Sequence, residues 1–395
     1  GGAVRAFLIV GIALGCALNL ARAADAPEYL VAGYKALFTC SATFLANRSP
    51  AQIERNQLAG IYATYQAPMK QLPPAQIERR RGWVGVTYDP FMPPRTALYR
   101  GTLGCVLLPP GATANMRLVG VTLPDVRQRG RDIAWPDGDR LAEAPVGVRS
   151  RHPLAPLLKG AFDGKTYGRD TRTTAVLVAS REALLAEAYS TDSGIFVPQR
   201  TWSVAKSLMG VLAGIAVKER LMQLDEPVAF PSWSAPGDPR GQITFRHLMN
   251  MASGLDAGVA GNRTDEIYFG GGLVEEHATT RELAAAPGTH WTYANADTLL
   301  LSYALRARIR DDRVYLAYPY EKLFRRIGMR HTTAETDWGG TFILSSQVWT
   351  TARDLTRFGL LLLNDGRWGG REIVPTSWIR SMAKPAPAQP PLERA

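Results

Sequence analysis

The chain has 395 residues, 46% of them hydrophobic, which is enough for one large domain or two ordinary ones. Its net charge of +11 is carried by arginine, since only eight of the 46 basic residues are lysine. The arginines fall in short, scattered groups such as Arg79-Arg80-Arg81 and Arg325-Arg326, without interleaved aromatics. A nucleic-acid surface needs a contiguous basic stripe and is therefore not expected.

Arg5 precedes the apolar run Ala6–Gly15, and Ala21-Arg22-Ala23 forms an A-x-A site. This pattern predicts a signal peptide over residues 1–23, with the mature chain beginning near Ala24 and export to the periplasm or the exterior. The run is too short for a comfortable membrane span. A lipid anchor through Cys16 is the alternative. With Cys16 removed, Cys40 and Cys105 remain, and in an exported chain two cysteines can close one disulfide. Two buried free thiols are the other reading. Neither cysteine has a histidine at ligand spacing, so no zinc or other metal site is expected.

Residues 24–165 form an N-terminal extension of no assignable role, with the mouth of a cleft as one place it could act. Helices are expected around 28–37 and after Ser49-Pro50, and strands over 83–88, 96–100 and 105–108. Residues 109–165, rich in Gly, Pro, Arg and Asp, predict irregular packing. A second unit, 166–395, opens with strands 174–179 and 183–189. Ser203 then starts an almost wholly apolar helix ending near Glu219-Arg220. Thr244 is expected to cap a further helix and Gly254 to end it. The glycine-rich stretch 256–280, with Tyr268 and Phe269, reads as a loop able to line a cleft. Tyr293-Ala294-Asn295 reads as extended. Thr351 and Asp354 predict a capped helix that stops at Asn364-Asp365-Gly366.

Ser203 and Lys206 carry the chemistry. Three residues apart on a helix, they share a face with Cβ atoms about 5–6 Å apart, which sets an amine beside a hydroxyl. At the start of a buried helix, free N–H groups and the dipole favour a developing anion. Partial desolvation lowers a lysine pKa, so Lys206 can serve as a base. In an extended triplet Tyr293 and Asn295 project to one side, giving a phenol to relay protons and an amide to hold a carbonyl. Ser381-Met-Ala-Lys384 repeats the spacing but runs straight into Pro385, with no apolar helix behind it, and reads as chance. His290, three residues before Tyr293, is a candidate supporting residue. His247 reads as structural. No Gly-x-Ser-x-Gly elbow accompanies any histidine.

On Ser203-Val-Ala-Lys206, Tyr293-Ala-Asn295, Ser253-Gly-Leu255, Pro287-Gly-Thr289 and the segment 351–360, the chain resembles the β-lactamase and penicillin-binding-protein superfamily of serine hydrolases. The tyrosine triplet is similar to class C β-lactamases, related esterases and 6-aminohexanoate-dimer hydrolases, over about residues 174–384. The resemblance implies an α/β fold, an antiparallel sheet flanked by helices. It implies Ser203 as the acylated nucleophile, Lys206 as its proton acceptor, Tyr293 as shared acid/base and Asn295 as a substrate-positioning amide. No metal or organic cofactor is implied. The expected substrate is a small ester or linear amide, with a DD-peptidase or β-lactamase as the alternative. A non-catalytic binding or sensor protein on the same fold is a reading from another class. The family's third motif, Lys-Thr-Gly or His-x-Gly on a late strand, has no counterpart after Lys384. A C-terminally truncated domain is therefore expected, lacking one oxyanion donor and leaving strand 174–179 with an unpaired edge.

Overall fold

The computed structural model describes residues 25–258 and 264–391. The signal-like segment and Cys16 lie outside them. The first helix, α1 (Glu28–Phe44), runs a full two turns beyond its expected end, and every residue from Leu30 to Thr43 is buried. A helix that is small or apolar on all sides has to be covered on all sides. After α1 come α2 (Pro50–Asn56), opened by a reciprocal Ser49/Gln52 capping box, and α3 (Ala63–Gln71). A four-stranded antiparallel sheet then follows in simple order: β1 (Gln76–Glu78), β2 (Trp83–Val86), β3 (Arg95–Tyr99) and β4 (Cys105–Leu107).

One face of α1, with Ala36, Leu37 and Cys40, packs on Val84, Val86, Ala97 and Leu107 of this sheet. Cys40 and Cys105 are joined there as a disulfide, with Cα atoms 6.1 Å apart. The opposite face, with Tyr34 and Phe38, belongs to the same core as Leu208, Phe269 and Leu299. Backbone meets backbone at Gly33, where an added Cβ would lie 1.9 Å from the Phe269 carbonyl oxygen. Arg95, 1% exposed, is the polar clasp of this seam. It donates to the carbonyls of Tyr29 at 2.6 Å, Leu108 at 3.1 Å and Gly270 at 2.9 Å, which is how a buried guanidinium avoids an unsatisfied desolvation cost. The N-terminal extension thus shares its core with the remainder of the chain.

Residues 109–174 are largely irregular, as their composition predicts, apart from a short turn at 127–130 and α4 (Leu154–Gly160). The hairpin β5 (Ala175–Ala179) and β6 (Leu184–Tyr189) forms where expected. Among the described residues β5 pairs with β6 alone, while Ala186 of β6 also bridges Val146. The three-stranded sheet of order β7-β9-β8 is built from β7 (Gln199–Arg200), β8 (Thr332–Ala334) and β9 (Val348–Thr350). It delivers the chain to Ser203.

The apolar helix α5 (Ala205–Lys218) is buried through Leu208–Ala216. Leu208, Val211, Leu212 and Ile215 each contribute about 1.5–3 kcal/mol by leaving water. Its Gly210 and Gly214 form a notch for the last helix of the described chain. A Cβ at Gly214 would meet Trp378 at 2.4 Å, and the Trp378 indole N–H donates to the Gly210 carbonyl at 2.9 Å.

The helices after α5 are α6 (Phe245–Met249), α7 (Asp265–Tyr268), α8 (Val274–Thr279), α9 (Asn295–Ile309) and α10 (Asp312–Pro319). The amphipathic α11 (Ala352–Leu363) and then α12 (Thr376–Met382) close the described chain.

Two expectations need correction here. The stretch 256–280 is not an open loop: α7 and α8 occupy much of it, and Tyr268 and Phe269 are core residues, with Tyr34 and Phe38 of α1 and Tyr65 of α3 packed against the Phe269 ring. Gly254 does not end α6, which stops at Met249. It sits instead in a later left-handed turn (φ 80°) where a Cβ would strike the Ala285 carbonyl.

Candidate active site

The chain reaches Ser203 under tension. Thr201 N–H donates to the Val348 carbonyl at 2.8 Å, extending the β7–β9 pairing by one bond. Trp202 then takes φ 50°, a left-handed conformation rare for a bulky side chain and costing on the order of 1–3 kcal/mol. Its ring is held by the Arg200 guanidinium at 4.2 Å, which also lies 4.3 Å from the Phe38 ring of α1. Arg200 in turn donates to the carbonyl and hydroxyl of Ser346 at 3.2 and 3.0 Å. This turn places an exposed Ser203 one residue ahead of Val204, the N-cap of α5.

Lys206 is the second residue of α5. Its ammonium donates to Ser203 Oγ at 3.1 Å and to the Ser345 carbonyl at 2.9 Å, and it lies 5.0 Å from the centre of the Tyr293 ring. Burial pushes the Lys206 pKa down, and hydrogen bonding and charge at Tyr293 pull it partly back. Ser345 is fully buried, and its hydroxyl is hydrogen-bonded to the Tyr268 phenol. The acceptor carbonyl therefore sits on a fixed segment. Tyr293 is 39% exposed, so it can meet solvent or substrate while facing the amine.

Ser203, Lys206 and Tyr293 thus converge. Asn295 stands differently from expectation. The triplet is not a continuous extended segment: Ala294 is extended, but Asn295 is the first residue of α9. The period-two argument breaks because Asp297, in the first turn of α9, is buried against Ser253, whose hydroxyl donates to it at 2.7 Å. Leu299, Leu300 and Leu301 follow it into the core. Asn295 Nδ2 donates to Thr264 Oγ1 at 3.1 Å. His290 is exposed and lines a separate cavity of about 510 Å³ with Ser253, Thr289 and Asp297, which neither Ser203 nor Lys206 borders. His247 is structural as expected, its Nδ1 accepting from Thr244 N–H at 3.2 Å. Among the described residues no cluster of three or more His, Cys, Asp or Glu side chains is arranged to hold a metal.

The sequence reading missed the Ser345 carbonyl, the Arg200–Trp202 stack and the Thr264 partner of Asn295. A backbone carbonyl carries no residue signature. The nearest signal in the sequence is the short polar triplet Ser345-Ser346-Gln347 between the apolar Phe342-Ile343-Leu344 and Val348-Trp349.

Residues 198–391 match the family model described as Beta-lactamase. Among solved structures, the fold is similar to that of a candidate 6-aminohexanoate-dimer hydrolase from Bacillus anthracis. That match has 23% identity and a TM-score of 0.50, and covers 62% of this chain and 67% of that one. A candidate beta-lactamase from Bacteroides dorei also matches, at 22% identity and a TM-score of 0.45 over 54% of this chain and 65% of that one. The chain spans about two thirds of the length of these proteins. No curated protein matches the sequence.

Proposed function

We propose, for a chain whose residues 198–391 belong to the beta-lactamase family of serine hydrolases, that Ser203 is the nucleophile of an acyl-enzyme reaction on small esters or linear amides. The observation carrying this reading is the Lys206 amine held 3.1 Å from Ser203 Oγ and 2.9 Å from the Ser345 carbonyl. A burial-lowered pKa makes the neutral amine accessible, and the neutral nitrogen accepts the hydroxyl proton. Ser203 Oγ then bonds to the substrate carbonyl carbon. As the bond to the leaving group breaks, Lys206 returns the proton through the Tyr293 phenol to the departing alcohol or amine. Water attacks the resulting ester, releasing the acid and restoring Ser203. Asn295 as a positioning amide would exchange its bond to Thr264 for one to the substrate.

Export is part of the same proposal. The Cys40–Cys105 disulfide supports it, because such bonds persist in oxidising compartments. Among the described residues no helix is long and apolar enough to cross a membrane.

A fluorophosphonate label tests the nucleophile. Labelling is expected on Ser203, lost in Ser203→Ala and retained in Ser381→Ala. Labelling that survives Ser203→Ala would overturn the assignment, and no labelling at all would favour a non-catalytic binder. A panel of nitrophenyl ester, linear amide, D-Ala-D-Ala peptide and β-lactam then sorts the substrate class, with the ester expected to turn over fastest.

A further inference from the structure

A cavity of about 160 Å³ lies on the seam between the N-terminal extension and the sheet that carries the Ser203 turn. Tyr99, Asp125 and Arg127 line it from one side, and Arg325, Arg330 and His331 from the other. At about 30 Å³ per water it has room for roughly five waters, or one small oxyanion with its first partners.

The charges around it are unevenly matched. Asp125, the one carboxylate in the lining, is consumed by Arg127, which donates to it at 2.9 Å from Nε and 2.6 Å from Nη2. Arg325 and Arg330 make their side-chain hydrogen bonds to backbone carbonyls, those of Pro124 at 3.0 Å and of Asp137. The Arg325 Nε is buried with no partner. Asp137, Asp139 and Asp354 act on Arg330 from outside the lining, but Asp139 and Asp354 each already hold Arg357 at 2.7 Å, and Asp137 accepts from the Trp368 indole N–H at 2.6 Å. The His331 side chain is 9% exposed and tilted against Phe196, with ring centroids 5.0 Å apart, and its Nε2 makes no hydrogen bond, the Asp139 carboxylate lying 4.0 Å away. Two half-buried guanidinium groups thus face a small cavity with neutral carbonyls as their hydrogen-bond partners, where an anion would add charge-assisted bonds.

We propose that this cavity is a binding site for a small oxyanion, a phosphate, sulfate or carboxylate group, held mainly by Arg325 and Arg330. Bound there, the anion clamps the extension to the hydrolase half. Pro198, which leads into β7, and Thr333, in β8, also border the cavity, so the clamp closes on the strands beside the Ser203 turn. This site stands independently of the acyl-enzyme reading, because its test reads binding rather than turnover.

The test is calorimetric titration of the full chain with inorganic phosphate, sulfate and acetate, with thermal melts at ionic strength held constant by sodium chloride. Saturable binding of phosphate or sulfate with a raised Tm is expected, with acetate at least tenfold weaker. Acetate binding as tightly would identify a carboxylate ligand for the same site. Arg325→Gln and Arg330→Gln should each weaken binding at least tenfold, with Arg325→Lys intermediate. No binding heat in the unaltered chain, a Tm that follows ionic strength whatever the anion, or undiminished binding in both glutamine variants would overturn the proposal.

Discussion

The chain contains the same spacing twice, at Ser203/Lys206 and at Ser381/Lys384, and the two regions could hardly differ more. Ser203 stands in the short turn that leads into the buried helix α5 rather than opening that helix itself, and its lysine is held between a hydroxyl, a backbone carbonyl and an aromatic ring. Ser381 stands in the last turn of α12, where its hydroxyl donates back to the Trp378 carbonyl at 2.7 Å. Lys384 is exposed beyond the end of that helix. The two pairs share a sequence spacing, but neither lies wholly on one helix: Ser203 precedes α5 and Lys384 follows α12. What makes an amine useful is its surroundings: burial to lower its pKa, a fixed acceptor to aim it, and a partner to take the proton onward.

The largest expected effect is that of Ser203→Ala, which should lower ester turnover by about 10⁴-fold or more. The comparison breaks if Ser381→Ala costs as much. Next come Lys206→Ala and Tyr293→Phe, each expected to cost roughly 10²–10⁴-fold in kcat/KM. The tyrosine variant carries a sharper signature. Tyr293 raises the Lys206 pKa against the dominant lowering by burial. Its removal should therefore move the acid limb of the rate profile to lower pH, and an unmoved limb would detach Tyr293 from the lysine.

Two stability effects follow in size. Opening the Cys40–Cys105 bridge, which closes a 65-residue separation, should lower unfolding free energy by roughly 3–5 kcal/mol in denaturant melts. Burial raises the carboxyls of Asp297 and Glu335 to about 7, and those of Asp265 and Asp337 to about 6. Such groups bind protons more tightly folded than unfolded, so their contribution is fully present below about pH 4 and is lost as pH rises toward 7. Asp297→Asn, beneath the Tyr293 turn, should flatten that decline and gain most relative to the parent above pH 7. An equal effect at pH 5 and pH 8 would show that the carboxyl is not titrating there. The smallest effect is that of Lys384→Ala, expected within about 0.5 kcal/mol of the parent stability and without change in rate.

Legibility followed the range of the interactions. Local periodicity and capping residues located α2, the β5–β6 hairpin, α5 and α11 to within a few residues, because each carries its own boundary chemistry. The disulfide was legible as a pairing because only two cysteines remain after Cys16. The stretch 256–280 was misread because its glycines suggested a loop, whereas α7 packs against α1, more than 200 positions earlier in the chain, and α8 packs against α9. Asn295 was misplaced for a related reason: a buried Asp297–Ser253 contact starts α9 there instead of continuing an extended run.

By itself the sequence determined which serine, lysine and tyrosine come together, since residue type and short spacing are local properties. It also determined the family to which that chemistry points. Only the tertiary structure decided how the amine is aimed, through a Ser345 carbonyl that lies 139 positions away and carries no mark in residue type. It also decided that the N-terminal extension shares the hydrolase core, with α1 buried on one face by its own sheet and on the other by Phe269 and its neighbours. Both outcomes rest on contacts between distant segments. A linear pattern cannot specify these, because desolvation and hydrogen-bond satisfaction are met by whichever groups the folded chain brings together.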